Sequence, residues 1–155
     1  MPTKQKQAFT LIEIMIVVLI IGLLAALAVP ALKNASNNAR YTRLANDFRI
    51  IAGAVDAYSQ QEGSYPADSD SGVVPPEIED YLNPFIWEDE PVIGGLWDLE
   101  NSGPGYACAF GVVDYTMTEE TLLGFDRKYD DGSLVTGVYQ KIAPNRYYRI
   151  VEAID

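Results

Sequence analysis

The chain has 155 residues, a formal net charge of −11, no histidine and one cysteine, which leaves room for one modest domain. This composition excludes a disulfide within the chain, a Cys/His zinc site, and nucleophile pairs that need histidine. An acidic chain also repels the phosphate backbone of nucleic acid, so we expect no direct nucleic-acid partner. No Gly-x-Ser-x-Gly or phosphate-loop motif occurs, and we expect no enzyme activity.

An uncharged apolar run occupies residues 14–32. As an α helix it spans about 28 Å, close to the hydrocarbon thickness of a bilayer. Lys4 and Lys6 precede it, and no acid occurs among the first eight residues. This charge pattern predicts a membrane span with its N-terminal end in the cytoplasm and the rest of the chain outside.

One carboxylate, Glu13, stands at the head of the apolar run. A charged side chain in lipid is costly, so a plain membrane anchor has no need for it. Two interpretations are open: Glu13 lies at the interface and is solvated by headgroups, or it pairs with a cation at the same depth.

The segment Ala8-Phe-Thr-Leu-Ile-Glu13, followed by an apolar helix, resembles the processing site of type IV prepilins and of type II secretion pseudopilins. The resemblance covers roughly residues 4–32. It implies cleavage between Ala8 and Phe9 by a prepilin peptidase, methylation of the new N-terminus at Phe9, and a helix kink near Pro30. The chain departs from the family pattern at Ala8, where glycine is usual.

This resemblance implies three segments: a cleaved basic leader (1–8), a transmembrane and filament-core helix (9–32), and a periplasmic globular domain (33–155). The subunit is expected in the bacterial inner membrane and then in a periplasmic pseudopilus or a surface pilus. Its implied partners are further copies in a helical filament, sibling pseudopilins, the peptidase, an inner-membrane assembly platform and membrane lipid. In that setting Glu13 would fix the filament register by pairing with the Phe9 amine of a neighbour.

Two alternatives to a secretion pseudopilus remain at this point. One is a type IV pilus subunit for adhesion, motility or DNA uptake. The lack of a disulfide, which type IV pilins often carry near the C-terminus, favours the pseudopilin. The other is a soluble domain released by signal peptidase at the small-x-small motif Ala26-Leu-Ala28.

The rest of the chain predicts an α+β fold. Helical periodicity continues to about residue 61, with Leu44, Phe48, Ile51, Val55 and Tyr58 as a core-facing stripe. A short helix over 75–82 and a loop through Pro91 follow. Strands are predicted over 93–99, 105–117, 134–142 and 147–154, with a helical turn over 118–130 capped by Thr118. The sequence therefore predicts a long N-terminal helix packed on a C-terminal antiparallel sheet.

Three acids near a glycine, Asp126, Asp130 and Asp131, offer oxygen ligands for calcium. Some secretion pseudopilins hold calcium in a C-terminal loop. The spacing is not that of an EF-hand, and a solvated acidic turn is the interpretation we favour, with no cofactor. Cys108 is predicted to be a small buried side chain.

Overall fold

The computed structural model describes residues 10–154. In that range it has the helix α1 (Leu11–Glu62), a 3-10 helix (Glu79–Tyr81), α2 (Pro84–Glu88), the strands β1 (Leu96–Gly103) and β2 (Tyr106–Val113), α3 (Glu119–Tyr129), and the strands β3 (Tyr139–Ala143) and β4 (Arg146–Ala153). The chain divides into two compact units, Met1–Asn38 and Ala39–Asp155. The predicted α+β arrangement, a long helix and an antiparallel sheet, is confirmed.

The first unit contains the N-terminal part of α1, which is apolar on every side between residues 14 and 32. Its large apolar side chains between residues 11 and 32 are 50–78% exposed. An 18-residue window of this helix has a mean hydropathy of 3.0, and none of the window is buried within the described residues. A helix with this length and composition can cross a membrane.

The helix α1 continues without interruption through Pro30. The proline ring has no backbone N–H, so Pro30 cannot donate the usual hydrogen bond to the carbonyl of Ala26. A missing bond of this kind permits a bend, and the kink near Pro30 stays a prediction.

The second unit packs one face of α1 against the sheet. Leu44, Phe48, Ile51 and Val55 are all completely buried, which confirms four members of the predicted stripe, while Tyr58 is partly buried against the same core. The Phe48 ring lies 5.5 Å from the Trp97 ring and 5.8 Å from that of Phe110, measured between centroids. Burying an aromatic side chain of this size contributes about 1.5–3 kcal/mol of stability.

The four strands are antiparallel in the order β1-β2-β4-β3. Neither outer edge is bare. Ser69 N–H donates to the Leu99 carbonyl at 3.3 Å and Gly72 N–H donates to the Trp97 carbonyl at 2.7 Å, so a loop of the same chain lies along β1. At the β3 edge, Lys141 N–H donates to the Leu134 carbonyl at 2.7 Å. Both edges are therefore partly hydrogen-bonded by neighbouring segments.

A row of three residues crosses the outer face of the sheet. Gly111 in β2 pairs in register with Asp98 in β1 and with Tyr148 in β4. A Cβ at Gly111 would collide with the backbone of Tyr147 and the side chain of Tyr148. The missing side chain lets the Tyr148 ring approach the strand, and its hydroxyl donates to the buried Asp98 carboxylate.

Of three local predictions, one is confirmed and two are wrong. The helix α3 begins after Thr118, whose side chain accepts from Thr121 N–H, so the predicted cap is confirmed. The predicted loop through Pro91 was wrong, because Asn83 caps the short helix α2 with Pro84 in its first turn. The third strand begins at Tyr139 rather than 134, since residues 134–138 form a turn in which Gly137 has a φ of +86°.

Candidate functional site

Glu13 lies in the first turn of α1, two residues after the helix begins at Leu11. Its Oε2 accepts hydrogen bonds from Thr10 N–H at 2.8 Å and from Thr10 Oγ1 at 2.9 Å. In return, Glu13 N–H donates to Thr10 Oγ1 at 3.3 Å. Thr10 and Glu13 thus form a capping box, in which each side chain satisfies a backbone N–H of the other residue.

This capping box gives Glu13 a local structural role that the sequence interpretation missed. The signal was present, because Thr-x-x-Glu immediately before an apolar run is the pattern of a capped helix start. Only Oε2 takes part in these bonds. The second oxygen, Oε1, has no partner among residues 10–154 and can accept a hydrogen bond or face a cation.

The predicted processing residues, Ala8 and Phe9, lie outside the described residues, so the cleavage and methylation sites stay predictions. Pro30 lies within α1. Among the predicted assembly residues, the structure therefore gives atomic detail for Glu13 and a helical context for Pro30.

The three predicted acidic residues meet at the C-terminal end of α3. One carboxylate oxygen from each of Asp126, Asp130 and Asp131 lies within 4.8 Å of the others. Asp126 is completely buried, Asp130 is half-buried and Asp131 is exposed. Such a cluster offers the oxygen donors that hard cations prefer.

Hydrogen-bond donors of the following loop already engage these carboxylates. Asp126 accepts from Gly132 N–H at 2.8 Å and from the Tyr147 hydroxyl at 3.2 Å. Asp130 Oδ2 accepts from two successive backbone N–H groups, Val138 and Tyr139, at 2.5 and 2.8 Å. The cluster thus organises the turn that precedes β3.

The electrostatics of the cluster differ from one acid to the next. Burial raises the pKa of Asp126, and the hydrogen bonds from Tyr147, Gly132 and Ser133 oppose that rise. The hydrogen bond from the Thr136 hydroxyl instead lowers the pKa of Asp131. A buried carboxylate is costly to ionise, which is the reason that burial raises the pKa of Asp126.

Cys108 and the two tryptophans are packing residues. Cys108 is completely buried, and burial raises the pKa of its thiol to about 12. The thiolate that reactive cysteines need is therefore suppressed. Trp87 and Trp97 are each 1% exposed, with ring centroids 6.3 Å apart.

Comparison with known proteins finds similarity that is concentrated in the N-terminal part of the chain. The model of the prokaryotic N-terminal methylation motif matches residues 3–29. The type II secretion system core protein G of Pseudomonas aeruginosa is 43% identical over 67 residues, which is 43% of this chain and 47% of that protein. The protein of the same name from Escherichia coli K12 is 29% identical over 122 residues, covering 66% of this chain and 84% of that protein.

A fimbrial protein, EcpC of Eikenella corrodens, is 43% identical over 67 residues, 43% of this chain and 44% of that protein. The chain thus spans about half the length of the Pseudomonas and Eikenella relatives that it matches. The methylation motif, the relatives and the helix-and-sheet fold all agree with the resemblance drawn from the sequence.

Proposed function

We propose that the chain is a type IV pilin-like protein and a structural subunit of a type II secretion pseudopilus, because its N-terminal segment matches the prokaryotic N-terminal methylation motif and the chain is similar to type II secretion core proteins G. In this role it has no enzyme activity. The helix α1 anchors the subunit in the inner membrane, with the second unit in the periplasm. A prepilin peptidase cuts between Ala8 and Phe9, and the subunit then leaves the membrane for the filament.

The observation that carries this proposal is the exposed apolar surface of α1. The large apolar side chains between residues 11 and 32 are at least half exposed. Lipid covers such a surface in the anchored state, and the same surface of other subunits covers it in a filament. The hydrophobic effect thus favours both the anchored state and the filament. The polar groups of the helix therefore decide the register, which is the stagger between neighbouring helices in the filament.

Glu13 is the polar group that sets this register. Its Oε2 is held by Thr10, while Oε1 has no partner among the described residues. Cleavage before Phe9 creates a free amine, which meets Oε1 of Glu13 on a neighbouring subunit in the staggered array. A mismatched register leaves both charges unpaired in an apolar environment, which is the strongly unfavourable case.

A type IV pilus subunit is the second candidate, favoured by the similarity to the fimbrial protein of Eikenella corrodens. Deleting the gene in its own bacterium separates the two. A pseudopilin deletion traps secreted enzymes in the periplasm and leaves surface pili in place, whereas a pilin deletion removes the surface pili. Retained secretion in the deletion strain contradicts the pseudopilus proposal.

Intact mass of the membrane-extracted protein tests the processing step. We expect a chain that begins at Phe9 and carries one added methyl group. A mature chain that begins at Val29 would instead establish the soluble domain released after Ala28, and it would refute the filament role.

A further inference from the structure

A groove of about 540 Å³ lies beside α1 on the second unit and is open to solvent. Small residues of α1, Ala45, Ala52 and Gly53, line one side, while Tyr129 of α3 and Tyr139 of β3 line the other. A Cβ added at Gly53 meets no atom within 4 Å. The groove thus has free space beside aromatic side chains.

Two arginines line this groove in a chain that is strongly acidic overall. Arg149 pairs in register with the buried Phe110, so it lies on the helix-facing side of the sheet. Arg49 is exposed and donates to Asn46 Oδ1 at 3.0 Å. Within residues 10–154, no carboxylate lies within salt-bridge distance of either guanidinium, and Asp56 is the one acid that lines the groove.

The second unit carries a complementary feature that we call the acidic knob, formed by α2 and the two residues after it, 84–90. The Phe85 side chain is 68% exposed, and Glu88, Asp89 and Glu90 are all exposed. In the described part of the chain, none of these three carboxylates has a salt bridge. An exposed aromatic ring beside carboxylates without salt bridges matches a groove that offers tyrosines and two guanidinium groups, which have no salt bridge among residues 10–154.

The knob and the groove lie on different sides of the second unit. The knob borders Arg43 and Asp47 of α1, whereas the groove borders Arg49 and Gly53. Residues six positions apart on an α helix are about 120° apart around its axis. Contact between two different surfaces of identical subunits is heterologous, so it continues from one copy to the next as an open chain.

We propose that the groove with Arg49 and Arg149 receives the acidic knob of a second copy of this chain. The proposal rests on the filament role above and names the surfaces through which neighbouring second units meet. Phe85 enters beside the tyrosines, and the knob carboxylates face the guanidinium groups. Arginine suits this contact, because its planar fork binds carboxylates and stacks on aromatic rings.

Cysteine cross-linking of the full chain tests the contact directly. The variant Gly53→Cys with Glu88→Cys, oxidised in pelleted filaments, should give a ladder of dimers, trimers and larger covalent species. The control variant, Val135→Cys with Glu88→Cys, places one thiol on an exposed residue outside the groove and should give no ladder. Cys108 adds no background, because it is completely buried.

Filaments of the test variant that form without a ladder would overturn the groove contact and leave the filament role intact. Equal ladders from the test variant and the control variant would have the same meaning. A parent chain that forms no filament contradicts the proposed function itself. The two failures are therefore distinguishable in one experiment.

Charge reversal gives an independent test that needs no oxidation. Arg49→Glu and Glu88→Arg should each lower the filament yield about tenfold, because like charges then face each other across the contact. The double variant should recover most of the parental yield. Arg127→Glu, an exposed position outside the groove with the same charge change, should leave the yield unchanged. A double variant no better than the single variants would overturn the proposal.

Discussion

Replacing Glu13 by glutamine separates its two roles, because the substitution removes the charge and keeps the hydrogen-bonding shape. The glutamine carbonyl accepts from Thr10 N–H as the carboxylate does, and capping boxes use either residue. The stability of the helix start, about 0.5–2 kcal/mol for a cap, is therefore retained. What disappears is the ability of Glu13 to pair with a cationic amine.

The expected magnitude follows from where the charge lies. An acid costs about 2.5–3.5 kcal/mol at the centre of a membrane helix and less near its end, so Glu13→Gln should leave insertion intact or favour it. In the filament the variant leaves the amine of the neighbouring Phe9 unpaired, at a cost of about 3–5 kcal/mol. Since about 1.4 kcal/mol is a factor of ten, incorporation should fall by roughly a hundredfold or more.

The assay quantifies processed protein in the membrane fraction and in the pelleted filament fraction. Processed Glu13→Gln monomer should accumulate in the membrane while the filament fraction falls. Glu13→Asp keeps the charge on a shorter side chain and serves as a control, and Glu13→Ala removes both the charge and the capping bond. A glutamine variant that assembles like the parent would refute the pairing mechanism and leave the capping role of Glu13 as its only function.

Three further predictions concern the second unit. Phe48→Ala should lower the free energy of unfolding by about 3–5 kcal/mol, whereas Phe85→Ala, at an exposed position, should change it by less than about 0.5 kcal/mol. Urea titrations measure both values, and equal losses of stability in the two variants would contradict the assigned core. The pKa of Asp126 is raised above its ordinary value of 3.8, so the folded state binds the extra proton and stability falls as pH rises through the window just above 3.8. Asp126→Asn should lack that component when its unfolding curves are compared with those of the parent across this window, and an unchanged pH slope would refute the assignment. Calcium should not raise the melting temperature appreciably, because backbone donors already occupy Asp130 Oδ2; a clear rise that is lost in Asp130→Ala would establish a calcium site.

The sequence predicted best where periodicity and burial coincide. The stripe of α1 follows a regular spacing of three and four residues, and its central members Leu44 and Phe48 are completely buried. Hydrophobic pattern alone decides such positions, because one face of an amphipathic helix must meet the core. The cap at Thr118 was equally predictable from its residue type and the two acids that follow it.

Prediction failed where local geometry depends on contacts between distant residues. The segment 134–138 resembles a strand in sequence, but Asp130 Oδ2 accepts a hydrogen bond from Val138 N–H and so shapes a turn before β3. The groove is likewise invisible in the sequence, since Arg49 and Arg149 are a hundred positions apart. The short helix α2 had a local signal, Asn83 followed by Pro84, that a proline-rich context obscured.

The hydrogen bonds along the outer edges of β1 and β3 have a consequence for crowded subunits. An exposed strand edge is a template on which another chain can add a strand, and identical subunits at high local concentration are the most exposed to that hazard. Here the carbonyls of Trp97 and Leu99 are already engaged by the loop at 69–72, and Lys141 N–H is engaged by Leu134. In the proposed filament, these hydrogen bonds reduce the number of edge groups open to amyloid-like strand exchange between neighbouring second units, and self-association is left to helices and side chains.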